Sequence, residues 1–285
     1  MESSKMLRKR NPVLYWITRV LLYGALLFAA AIMLLPFLWM LSASVKLQQD
    51  VFEFPIKWIP DEFHWENYSI IWKQIPLLTY FKNTVFLTVV ITIIQLITSS
   101  FAAYAFAKMQ FKGRDTLFLM YVTTIAIPWQ VYMVPQYIMM GKFGLTDSLF
   151  GMILMHSFTA FGVFLIRQFY IGIPNELLEA ARIDGLSEYG IWMRIMLPLS
   201  KPAIATLCIT TFVTEWNDFM GPLIYLSTDS KKTLQLGLRL FIGMYSADYQ
   251  LVMAASVVSL IPVFIMFVSL QRFFVEGIAT SGLKG

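Results

Sequence analysis

The chain has 285 residues, of which 58% are hydrophobic and 14% charged, with a mean hydropathy of +0.66 and a formal net charge of +5. Soluble domains carry about 25% charged residues, so this composition excludes a water-soluble globular fold. The lone cysteine, Cys208, excludes a disulfide framework and a Cys-pair metal site. The positive charge suits anionic headgroups, and no nucleic-acid role is assigned.

Crossing about 30 Å of hydrocarbon takes roughly 20 apolar residues in a helix, because lipid offers the backbone no hydrogen-bond partner. After a basic N-terminus (1–19), the first such stretch free of Lys, Arg, Asp and Glu is Val20–Val45. No small-residue cleavage site follows it, so it reads as an uncleaved anchor. Asn83–Ala107, Thr116–Gly141, Ser148–Ile166 and Tyr249–Gln271 qualify equally, and Pro202–Thr228 is counted although Glu215 and Asp218 interrupt it. The expectation is an all-α integral membrane fold of six transmembrane helices at 20–45, 81–107, 116–141, 148–171, 202–228 and 249–271. A long outer loop spans 46–80, a second spans 229–248, and a tail follows at 272–285. Basic residues gather before the first span and after the second and fourth, for example Arg8, Lys9, Arg10, Lys108, Lys112, Arg114, Arg167, Arg182 and Arg194. Cytoplasmic loops carry that excess, so both termini are expected in the cytoplasm.

In the outer loop Trp58, Trp65 and Trp72 recur every seven residues, which fits an interfacial aromatic belt and a docking surface equally. On the second span Thr92, Gln95, Thr98 and Ser99 form a polar stripe, read as interhelical hydrogen bonding with pathway lining as the alternative. Pro36, Pro128, Pro135 and Pro262 lie within spans and predict kinks. His156 reads as a satisfied packing residue and the seventeen methionines as core filler.

The segment Arg167–Pro202 carries helix punctuation of its own. Pro174 and Asn175 end the fourth span, Asn175 is placed to cap a helix with Glu176 and Glu179 at its positive end, and Gly185 ends that helix. Leu177, Leu178, Ala181 and Ile183 give it an apolar face. Ser187 then caps a second helix, Glu188 to about Leu197, before Pro198 and Pro202 break the chain. In the fifth span Glu215 and Asp218 share one face with Thr211. Charge within a span belongs against protein or water, so they either line a pathway, with Asn217 beside them, or clasp a partner chain or a neighbouring helix.

Written out, Glu179-Ala180-Ala181, three residues, Gly185, nine residues, Ile195, one residue, Leu197-Pro198 resembles the EAA loop of ABC importer permeases. Phe81-Lys82-Asn83-Thr84, Ala102-Ala103-Tyr104-Ala105-Phe106-Ala107, Trp216-Asn217-Asp218-Phe219 and Gln271-Arg272-Phe273-Phe274-Val275 extend the likeness over nearly the whole chain. The chain is similar to the carbohydrate-importer subgroup, such as the smaller membrane subunit of the maltose system, with a core of about 80–275. The end, Gly282-Leu283-Lys284-Gly285, departs modestly from the family tail at Ser281 and Leu283.

The resemblance implies a non-catalytic membrane subunit whose helix-turn-helix loop between spans 4 and 5 couples to a separate ATPase through Glu179, Ala180, Ala181, Arg182, Asp184, Gly185, Ile195, Leu197 and Pro198. Lys284 and Gly285 become candidates for a tail contact with the ATPase. It implies a homologous second permease, two cytoplasmic ATPase subunits holding ATP and Mg, an extracytoplasmic solute-binding protein, and a sugar or oligosaccharide cargo; a phosphorylated glycerol or similar polar solute is the alternative. No cofactor or metal is expected on this chain. Consistently, it has no phosphate-binding loop: Gly141-Lys142 is followed by Phe143. A second class, an ion-coupled transporter, would use Glu215 and Asp218 to bind a proton or Na⁺. A membrane enzyme finds no nucleophile or metal constellation here.

Overall fold

The computed structural model describes residues 12–242 and 248–282, with side chains for 15–242 and 248–272. Every regular element among them is a helix. Three helices are long and apolar enough to cross a membrane on their own: α1 (Pro12–Ser44), α3 (Leu77–Lys108, preceded by the short α2, Asn67–Gln74) and the last helix, Tyr249–Gly282. Three further spans exist if each of three bent helix pairs counts as one.

The bends have local causes: the kink expected at Pro128 is present, and the fourth and fifth spans are broken where continuous helices are expected. α4 (Arg114–Thr123) and α5 (Trp129–Lys142) meet at 100°. Pro128 lacks an N–H and drives the residue before it out of the helical region; Ile127 is accordingly extended, at φ −90° and ψ 110°. α6 (Leu149–His156) and α7 (Ala160–Ile171) bend by 42°, and the hydroxyl of Thr159 restarts the helix by accepting from the Gly162 N–H at 3.4 Å.

After α7 come α8 (Asn175–Ile183) and α9 (Glu188–Ile191), the latter running through a π turn (Trp192–Met196) into α10 (Leu197–Leu199). Pro198 therefore does not break the chain where expected. The wider turn carries the helix past it, with the Leu197 N–H donating to Trp192 O. The 81° bend falls instead at Ser200, before α11 (Lys201–Trp216). Pro202 sits in the first turn of α11, where a missing N–H is harmless. α11 stops at Trp216, short of the expected Thr228. Asn217 donates back to Val213 O at 2.8 Å and Asp218 Oδ1 accepts from the Gly221 N–H at 3.1 Å, so these side chains end one helix and open α12 (Met220–Tyr225). α13 (Leu234–Leu240) leads to α14 (Tyr249–Gly282).

α3 is the central post, packed on α7, α11 and α6, while α1 lies along α14. Most of the α1 side chains are exposed, as befits a lipid-facing helix. At one end of α3 the segments 45–80, 144–148 and 226–242 come together: Asn83 donates to the carbonyls of Ser230 and Lys232, and Asp147 ties Lys231 and Thr228. At the other end α8 to α10 cover a core of Ala103, Tyr104, Tyr170, Leu178, Ile191 and Trp192.

Candidate functional site

Two places concentrate polar chemistry. The first is the segment α8 to α10. Gly185, at φ +82°, occupies the left-handed region that ends a helix, and the Ser187 hydroxyl accepts from the Gly190 N–H to cap α9. Asn175 does not cap α8. Its Oδ1 instead accepts from Lys108 Nζ at 2.8 Å, while the same ammonium donates to Ile173 O at 2.6 Å. A lysine at the end of α3 thus satisfies a carbonyl left free as α7 gives way to α8.

The apolar face expected on α8 divides in two. Leu178 and Ala181 are buried in the core just described, whereas Leu177 and Ile183 are exposed, Ile183 by 86%. Glu179, Ala180, Arg182, Asp184, Gly185 and Pro198 face outward, with Ile195 and Leu197 half-buried. Arg182 Nε donates to Glu188 Oε1 at 2.8 Å, and the Tyr104 hydroxyl of α3 donates to the other carboxylate oxygen. Those two donors, the guanidinium foremost, hold the Glu188 carboxyl below its ordinary range.

The second place is a cavity of about 580 Å³ between α3, α5, α6, α7, α11 and α12. His156, at the end of α6, donates from Nδ1 to Glu215 Oε2 at 2.7 Å. Gln95 donates to His156 O at 2.7 Å and accepts from the Thr211 hydroxyl at 3.0 Å. Asp218 places Oδ1 on the Gly221 N–H, and its Oδ2 is enclosed with no partner among the described residues. Glu215, Asp218 and Gln95 thus meet here; Thr92 and Asn217 do not. Thr92 is buried elsewhere on α3 with an unpartnered hydroxyl, and Asn217 folds back on its own helix. Gln95 and Thr98 make the interhelical bonds expected of the stripe, both to α6–α7 carbonyls.

His156 is a satisfied histidine, as the sequence suggests, but its partner is a carboxylate in a cavity wall rather than packing. Nothing local in the sequence signals that pairing, since 59 residues separate the two. The donor atoms of His156, Glu215 and Asp218 lie within 4.8 Å of one another, and they are the residues best placed to hold a cation. The direct His156–Glu215 bond accounts for that proximity without an ion. Lys284 and Gly285 lie outside the described residues.

Long apolar helices and bent spans around a cavity that holds Gln95, His156, Glu215 and Asp218 define a multi-pass membrane protein. The chain belongs to the family of binding-protein-dependent transport system inner membrane components, whose sequence profile matches residues 95–280. Several of its relatives are permeases of saccharide transport systems. The arabinooligosaccharides transport system permease protein AraQ of Halalkalibacterium halodurans is 34% identical over 98% of this chain and 100% of its own length. The polygalacturonan/rhamnogalacturonan transport system permease protein YtcP of Bacillus subtilis is 31% identical over 93% and 98%. Among solved structures, a bacterial ABC transporter involved in the import of the acidic polysaccharide alginate matches with a TM-score of 0.80 and 25% identity, covering 93% of this chain and 98% of that one.

Proposed function

We propose that this chain forms half of the pathway of an ATP-driven saccharide importer and is moved by a separate ATPase pair gripping α8 to α10. In this reading both termini are cytoplasmic, a homologous second permease completes the pathway, and an extracytoplasmic binding protein delivers the cargo. ATP and Mg reside on the ATPase subunits, so this chain performs no catalysis. Family membership favours this reading over the ion-coupled alternative. The cargo is a sugar or oligosaccharide by likeness to the relatives, some of which carry neutral and some acidic saccharides.

The observation that carries the coupling role is the division of α8. One face is anchored through Leu178, Ala181 and the Glu188 tie to α3, and the opposite face presents Leu177, Ile183, Glu179 and Asp184 with nothing upon them among the described residues. A rigidly mounted short helix with an apolar knob and a charged rim suits a cleft on a partner. An ATPase pair that holds this helix differently with and without ATP would bias inward- and outward-open arrangements by the difference in affinity.

The test is site-directed cross-linking from Ala180→Cys, in a Cys208→Ser background, in membranes that also hold the companion subunits. Capture of a nucleotide-binding chain, altered by ATP, is expected. Full ATP-driven uptake with no such capture from Ala180 or Arg182 would overturn the coupling assignment.

A further inference from the structure

We infer that the cavity beside α11 contacts the cargo directly and selects neutral saccharides over those bearing carboxylates, an inference that rests on the permease reading. The volume, about 580 Å³, falls in the roughly 300–1,000 Å³ range of small-molecule sites. Its walls combine two kinds of group that a sugar uses. Trp129 and the half-exposed Tyr132 offer aromatic faces on which the C–H side of a sugar ring can shed water. The lining also carries the carboxylates of Asp218 and Glu215, the latter engaged by His156. A sugar hydroxyl donating to a carboxylate oxygen of this wall would make a charge-assisted bond.

The selection follows from what the walls lack. Among the described residues, none that lines the cavity is Lys or Arg. One imidazole faces two carboxylates, and it is spent on Glu215. A uronate entering here finds no cation on this chain's wall to pair with and meets like charge at short range, in surroundings that screen poorly. A neutral arabinoside finds acceptors for its hydroxyls and no repulsion. The relatives carry both kinds of cargo, so the choice between them belongs to side chains such as these rather than to the fold.

The experiment uses the assembled transporter, the permease pair with its ATPases, and measures equilibrium binding of radiolabelled arabinotriose and trigalacturonate. Wild type is expected to hold arabinotriose at least about tenfold more tightly, a factor equal to roughly 1.4 kcal/mol. Asp218→Asn is expected to weaken arabinotriose about tenfold and to narrow the gap to trigalacturonate. Thr214→Trp, which fills the cavity from its exposed rim position, is expected to abolish binding of both. Co-purification of the ATPases and their basal hydrolysis report whether each variant has assembled. If assembled Asp218→Asn and Thr214→Trp bind both probes as wild type does, or if wild type binds trigalacturonate as tightly as arabinotriose, the inference is wrong while the permease reading stands. If wild type brings down no ATPase, the permease reading itself falls.

Discussion

The two polar regions of this chain flank α11, and their shapes are set by different means. The segment before it, α8 to α10, is shaped by residues near one another in sequence: Gly185 at positive φ, the Ser187 cap, and the bend at Ser200. The cavity near its other end is shaped by side chains 59 to 116 residues apart, His156 with Glu215 and Gln95 with Thr211. Where the backbone makes the shape, a change of conformational freedom should do the damage. Where distant side chains make it, the loss of a partner should.

The largest effect is expected at Gly185. A Cβ there would meet nothing within 4 Å, so room is not the issue. The backbone is: a left-handed L-residue costs about 1–2 kcal/mol, and a β-branched one more. Gly185→Val is expected to cut ATP-driven uptake by more than about tenfold, with the protein still inserted in the membrane, because α8 and α9 can no longer keep their angle. Gly185→Asn, whose short side chain tolerates that conformation, should retain more than about half the uptake. Equal loss in both variants would break the distinction drawn here.

Next comes Gln95, 7% exposed, which holds α6 and α11 at once. Gln95→Leu leaves the His156 carbonyl and the Thr211 hydroxyl without the bonds they now make. Interhelical bonds within membranes are worth about 0.6–1.7 kcal/mol each, so a loss of about 1–2 kcal/mol is expected. Thermal unfolding of the solubilised protein would show it as a Tm lower by a few degrees, with the α8 to α10 cross-links unchanged. Disturbed cross-links would show the two regions to be one unit.

The same contrast sets what the sequence made legible. Length and hydropathy sufficed for the helical membrane fold, and the turn residues Gly185 and Ser187 announced the two short helices, because capping and left-handed turns are local chemistry. The bend at Ile127–Pro128 was legible from the proline itself, whereas the break at Asn217–Phe219 was not visible in hydropathy, which averages over a window and cannot see where side chains compete with the backbone for hydrogen bonds. Asn175 looked like a cap and was claimed by Lys108 from another helix. Of the polar residues offered as lining, Gln95, Glu215 and Asp218 converge and Thr92 and Asn217 do not, since helical spacing fixes which face a residue shares and not which neighbour that face meets.

The smallest effect belongs to the contact that joins the α8 to α10 segment to the bundle. The Glu188 carboxylate receives Arg182 from α8 and Tyr104 from α3. Because those donors hold its folded pKa below the ordinary 4.5, the tie contributes stability above that value and loses it as the pH falls through the folded pKa. The side chains of Arg182 and Glu188 are 43% and 44% exposed, so solvent screening limits the contribution to under about 1 kcal/mol. Hydrogen exchange of the amides at 182–190 should therefore be slower in wild type than in Glu188→Gln by up to about fivefold at pH 7. The gap should begin to narrow near pH 4.5 and close once the pH lies below the lowered folded pKa, where the two side chains become nearly equivalent. A gap that persists unchanged into acid would mean that the ion pair is not what fastens this segment, and that the buried face of Leu178 and Ala181 holds it alone.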